Sequence, residues 1–117
     1  RAFERALRHD WSLAMRSRSI LIDLGFPNIS FREGDGSLGW PEEAPYDGVL
    51  VSAAAPRVPP SLVSQLADNG KLVVPVAEDA RYQVLTVVTR IGSRIETRRD
   101  IPCRFVPLLG CEGFAIE

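Results

Sequence analysis

Histidine, cysteine and methionine are almost missing from this chain: one, two and one among 117 residues. The single histidine, His9, stands in a helical pattern among Arg5, Arg8 and Arg16, where a surface place is expected, and Ser52 has no obvious base, so a Ser-His hydrolase is disfavoured. Cys103 and Cys111 lack CxxC spacing and histidine companions, which argues against zinc. Two thiols are also few for a small secreted scaffold, and reduced cysteines in a cytoplasmic protein are expected instead. The longest apolar runs, "GVLVSAAAP" and "KLVVPVA", fall far short of the roughly 18 residues of a spanning helix, so no membrane association is expected. A formal net charge of −1 gives no pull toward nucleic acid. Few aromatics accompany Arg90, Arg94, Arg98, Arg99 and Arg104, which read as a solvated face. The start, "RAFERALRHDW", has neither an apolar leader core nor an initiating methionine, and the chain is read as cut from something longer.

What is present is ordinary for a globular domain: 45% hydrophobic and 25% charged residues, in a length that suits one domain over 1–117. From Ala2 to Leu24 the spacing of Phe3, Leu7, Trp11, Ala14, Met15, Leu21 and Leu24 predicts an amphipathic helix, stopped by Gly25 and Pro27. "NISF", Asn28 to Phe31, reads as a short strand. "DGVLVSAAA" reads as a strand buried on both faces. "PPSLVSQLADNG" reads as a short helix opened by Pro59 and Pro60 and closed at Asn69-Gly70, and "KLVVPV" as a second buried strand. Strand, helix, strand implies parallel neighbours. "YQVLTVVTR" and "RIETRRD" flank a hairpin turn around Gly92, and "CRFVPLL" forms a last strand. The expected fold is α/β, a mixed sheet with parallel strands and a C-terminal antiparallel hairpin.

Gly34-Asp35-Gly36 is a common turn pattern. It also follows a strand, on the side where open α/β sheets bind ligands. A carboxylate there can accept from an exocyclic amine, and glycine lets a flat ring approach, as an adenine would require. Ser52-Ala53-Ala54-Ala55-Pro56 sits on the same rim, where small side chains serve either close packing or room for a substrate. Glu42, Glu43 and Asp47 read as a solvated acidic loop rather than a metal site, since no further ligands lie near them. "RFVPLLGCEGF" is either an irregular terminus or a backbone surface for an extended peptide; its proline demotes it to an edge or bulge. No catalytic side chain and no metal ligand is assigned.

"GDGSLGWPEEAPYD", "VSAAAPRVPPSLVSQLADNGKLVVPV" and "RFVPLLGCEGF", in this order and spacing, closely resemble the carboxyl-terminal half of protein-L-isoaspartate O-methyltransferases. The resemblance implies a partial Rossmann-like methyltransferase fold, S-adenosylmethionine as cofactor and isoaspartyl-containing proteins as partners in repair. It places Gly34, Asp35, Gly36 and Leu109 against the cofactor. It places Ser52, Ala53, Ala54, Ala55, Pro56, Phe105, Val106, Pro107 and Leu108 toward the isoaspartyl peptide. The family's glycine-rich loop and its ribose-holding acid are expected upstream of Arg1, with residues 1 to 25 forming only the helix after them, and Ala77 stands where the family usually has glycine. Two strands of the family sheet, between "NISF" and "GVLVSAA", are then absent. That leaves an apolar edge open to self-association. The other reading is a non-catalytic methyltransferase-like binding or interaction domain.

Overall fold

Backbone pairing, more than local periodicity, decides the first elements. The computed structural model describes residues 4–8, 16, 19–20, 23–25 and 29–115. It falls into two compact units, Arg1–Gly36 and Ser37–Glu117. In the first, β1 (Glu4–Arg8) runs parallel to β2 (Ile29–Glu33), in register from Glu4↔Ile29 to Arg8↔Glu33. Arg16, Ser19, Ile20 and Asp23, within the connection, are helical. The Leu24 N–H donates to the Ile20 carbonyl at 3.0 Å, and Gly25, with φ 82, ends the turn as expected.

The helix predicted from Ala2 to Leu24 is thus corrected at its start. Glu, Arg, Ala and Leu favour a helix locally, but β2 has a row of backbone groups to satisfy, and parallel pairing overrides propensity. β2 therefore has a neighbour inside the chain, where the resemblance puts its neighbours upstream. Leu24, assigned to the apolar helix face, is 65% exposed. Phe3, His9, Trp11, Ala14, Met15, Leu21 and Asn28 lie outside the described residues.

In the second unit, β3 (Tyr46–Leu50), β4 (Leu66–Ala77), β5 (Gln83–Ile91) and β6 (Arg94–Cys103) form a sheet in that order. β3 and β4 are parallel and connected through α1 (Pro60–Ser64), while β4, β5 and β6 are antiparallel. This is the mixed sheet the sequence predicts. Ile91 pairs with Arg94 across a two-residue turn in which Gly92 has φ 61. The Gly92 N–H donates to Asp68 Oδ1 at 2.7 Å.

Helix α1 is shorter than predicted. It ends at Ser64, with Gln65 as its C-cap. Asn69-Gly70 instead lies in a bulge of β4, where pairing jumps from Tyr46↔Leu66 to Gly48↔Lys71, and Asn69 takes φ 63. The cause is the hairpin: Arg90 Nη1 donates to the Leu66 carbonyl at 2.7 Å, and Asp68 is held by Gly92, so the chain is drawn into the sheet directly after Gln65.

Ala55, Leu62, Leu66, Leu72, Val74 and Val88 form the core, with Val49, Val51, Val58, Val63, Val76 and Leu108 packed against it. "DGVLVSAAA" is buried only at Ala54 and Ala55; Asp47 and Gly48 are exposed, and Leu50 is 77% exposed. The expectation of burial on both faces fails because β3 ends the sheet order, with no further strand beside it among the described residues. "CRFVPLL" is not a separate strand either. β6 runs on to Cys103, and Arg104–Leu109 has only isolated bridges, to Ala54 and Phe114. Pro107 lacks the N–H that a continuous ladder needs.

Candidate functional site

Ala54 joins the two expected peptide-facing segments, and Ala55 beside it ties them to β4. Ala55 turns its backbone toward β4, donating to the Pro75 carbonyl at 2.9 Å and accepting from the Ala77 N–H at 2.8 Å. Ala54 turns the other way, donating to the Val106 carbonyl at 2.7 Å and accepting from the Leu108 N–H at 2.8 Å. This alternation is the pleat of an extended chain. It explains why Pro107 is tolerated, since Ala54 bonds to the residues on either side of it and its missing donor is not called on.

The segments around Ser52–Pro56 and Phe105–Leu108 are therefore adjacent. Ala54 and Ala55 are 1% and 0% exposed, so their small size serves close packing between two neighbouring backbones. Ser52 is exposed, Ala53 and Pro56 half-buried. Beyond them Phe105, Val106, Leu109 and Phe114 leave apolar surface open, while Leu108 packs on the core. Leu109 bridges to Phe114. Gln83 holds the start of the segment: its Nε2 donates to the Phe105 carbonyl at 3.1 Å, and its Oε1 accepts the Phe105 N–H at 2.7 Å. That side-chain amide does the work of a neighbouring strand.

Gly34, Asp35 and Gly36 belong to the first unit. They follow the carboxyl end of β2, are half-buried, and lead into a 3-10 turn at Gly36–Leu38. The sequence sees this turn, but not what fastens the residues after it. Gln65, 8% exposed, accepts the Trp40 N–H at 3.0 Å and donates to the Leu38 carbonyl at 2.9 Å. Its amide crosses directly over Gly39, which has φ 71; a Cβ there would lie 2.2 Å from Gln65 Oε1. Tyr46 adds a hydrogen bond from its hydroxyl to the Trp40 carbonyl.

Glu112 is also missed by the sequence reading, although "RFVPLLGCEGF" contains it. Its carboxylate accepts from both the N–H and the hydroxyl of Ser61, and its own N–H donates to Ser37 Oγ. Gln65 and Glu112 lie inside the blocks that carry the family resemblance and Gln83 outside them, yet nothing local marks any of the three; each is found only through a partner distant in sequence.

Arg94, Arg98, Arg99 and Arg104 are exposed as expected. Three of them pair on the surface, Arg99 with Glu78 at 2.7 Å, Arg94 with Glu96 at 3.2 Å and Arg98 with Asp100 at 3.7 Å. Arg90 departs from that reading. It is half-buried and donates to the Leu66 and Gly92 carbonyls. Glu42, Glu43 and Asp47 are exposed. Among the described residues, no group of three His, Cys, Asp or Glu is placed to hold a metal ion, and no helix is long and apolar enough to cross a membrane.

A family model described as protein-L-isoaspartate (D-aspartate) O-methyltransferase matches residues 6–113. The protein-L-isoaspartate O-methyltransferase of Anaeromyxobacter dehalogenans strain 2CP-1 is 55% identical over 98 residues, covering 82% of this chain and 47% of that protein. That of Trichlorobacter lovleyi is 42% identical over 105 residues, covering 90% and 48%. The chain thus spans about half the length of these relatives. A solved protein-L-isoaspartate O-methyltransferase aligns with TM-score 0.85 at 24% identity, over 95% of this chain and 35% of that one. A structure from Plasmodium falciparum, described as an enzyme of the same name in complex with S-adenosyl-L-homocysteine, aligns with TM-score 0.76 at 26% identity, over 92% and 52%. This chain belongs to the protein-L-isoaspartate (D-aspartate) O-methyltransferase family.

Proposed function

We propose that this chain is the peptide- and adenine-facing part of a protein-repair enzyme that methylates the stray carboxylate of L-isoaspartyl residues. The observation that carries the reading is the pairing of Ala54 with Val106–Leu108, which sets side by side the two segments that the family resemblance assigns to the peptide. Phe105 and Val106 would lie along the peptide, Ser52 and Ala53 at its rim, and Leu109 toward the cofactor. Asp35 suits the adenine end of S-adenosylmethionine: a half-buried carboxylate between two glycines, past the end of a parallel strand. The cofactor, when bound, supplies a methyl group activated by a sulfonium. The substrate carboxylate is already ionised at neutral pH, its reference pKa being about 4. No proton has to be removed first, so the chain's share is to orient the peptide and exclude water, effects that can reach on the order of 7 kcal/mol.

An isoaspartyl peptide titrated into the isotope-labelled chain is expected to shift the amides of Phe105, Val106 and Leu108. The same peptide with ordinary aspartate should bind about tenfold more weakly. An equal response to both peptides would remove the reading. The chain's length, about half that of its relatives, favours a second reading, a methyltransferase-like module that binds without turning over. We further place the protein in the cytoplasm, a reading supported by its small cysteine content, two among 117 residues. Self-association through β3 is supported by exposed Leu50 on the terminal strand of the sheet.

A further inference from the structure

We infer that Glu112 is a positioning residue for the segment Phe105–Leu109, which it fixes by capping helix α1 from a distance. The geometry stands alone; the purpose rests on the function proposed above.

α1 begins in an unusual way. Pro59 is its N-cap and Pro60 its first residue, and Pro59 provides no side-chain acceptor. A helix start normally exposes several N–H groups that a Ser, Thr, Asp or Asn at the cap would satisfy. Here the two prolines have no N–H. The N–H groups of Leu62 and Val63 both turn back to the Pro59 carbonyl, at 3.2 and 3.3 Å. The Ser61 N–H is left to a residue 51 positions away: Glu112 Oε1 accepts it at 2.8 Å, and Oε2 accepts the Ser61 hydroxyl. The Glu112 N–H donates to Ser37 Oγ at 3.0 Å, and Ser37 is fully buried.

Glu112 lies in a closed loop. The Phe114 N–H donates to the Leu108 carbonyl at 2.7 Å, and the Gly110 N–H to the Phe114 carbonyl at 3.0 Å. Gly113 makes the closure possible, because a Cβ there would stand 2.4 Å from the Leu108 carbonyl oxygen. The segment is thereby held at three places: Gln83 at Phe105, Ala54 on either side of Pro107, and the Glu112 loop directly after Leu108. The first two act on its backbone. Glu112 holds the end from which it would otherwise peel away.

The test is amide hydrogen exchange on this chain. Glu112→Ala is expected to speed exchange at Leu108 and Phe114 on the order of tenfold, the scale of a lost charge-assisted bond, with β5 and β6 unchanged. Glu112→Gln should restore protection, since an amide oxygen still accepts the Ser61 N–H. In a parallel titration, isoaspartyl-peptide binding should weaken by a similar factor in Glu112→Ala and return in Glu112→Gln. Unchanged exchange at Leu108 and Phe114 overturns the inference, and so does a uniform rise that includes β5 and β6. Should Glu112→Ala not fold, Ser61→Ala decides, by faster exchange confined to that loop or by none. A wild-type chain that binds no peptide counts against the proposed function alone, and the exchange result still settles the tether.

Discussion

Gln65 and Gly39 illustrate how single residues hold this molecule. The Gln65 amide satisfies the Trp40 N–H and the Leu38 carbonyl over a residue with no side chain. Gln65→Leu keeps most of the volume but leaves both groups without that partner, and should cost about 2 kcal/mol in urea unfolding, with the slope of the transition unchanged. Gly39→Ala meets both the positive φ and the amide, and should cost at least about 1 kcal/mol. Asp35 is a test of ligand chemistry instead. Asp35→Ala should abolish any response of Gly34 and Gly36 to S-adenosyl-L-homocysteine in NMR titration. Retained shifts at those glycines would remove the carboxylate from the adenine assignment. None of the side-chain anchors was legible in the sequence, because glutamine and glutamate at 65, 83 and 112 look the same whether solvated or bound to a partner far along the chain.

At the scale of elements, legibility follows the range of the forces involved. The hairpin was readable because Gly92 sets the turn locally and both strands touch it. The parallel pair β3–β4 was readable because each strand carries an apolar stretch, Val49-Leu50 in β3 and Leu72–Ala77 in β4, on either side of a proline-opened helix. β1 was not, since "ERALR" has a helical composition and becomes a strand only by pairing with β2. The end of α1 was misplaced for the same reason, Asn69-Gly70 being captured by the hairpin through Asp68 and Arg90. The two ends of the four-stranded sheet differ in how they are guarded. β6 carries Arg94, Glu96, Arg98, Arg99, Asp100 and Pro102, all exposed, whereas β3 exposes Leu50. Charges and proline on an edge discourage further pairing. Leu50→Lys should therefore reduce association seen by light scattering at micromolar concentration, while changing stability by no more than about 0.5 kcal/mol. A wild-type chain that is already monomeric would end the case for that edge.

For the whole molecule, the expected outcome is negligible methyl transfer to an isoaspartyl peptide by this chain alone, because the family resemblance places the glycine-rich loop upstream. Supplying the amino-terminal half of the Anaeromyxobacter dehalogenans relative in trans should raise methyl transfer in a radiolabel assay. Turnover by the isolated chain would contradict this expectation. The bridge at Pro107 has a further consequence for whatever approaches from outside. Ala54 engages Val106 and Leu108, so the polar groups of residue 107 face the opposite way. Proline leaves only an oxygen there, and at Phe105 both backbone groups are already occupied by Gln83. At residues 105–107 a visiting chain would thus find a one-sided invitation: it can give a proton to the Pro107 carbonyl but meets no N–H there in return, which restricts how it can align.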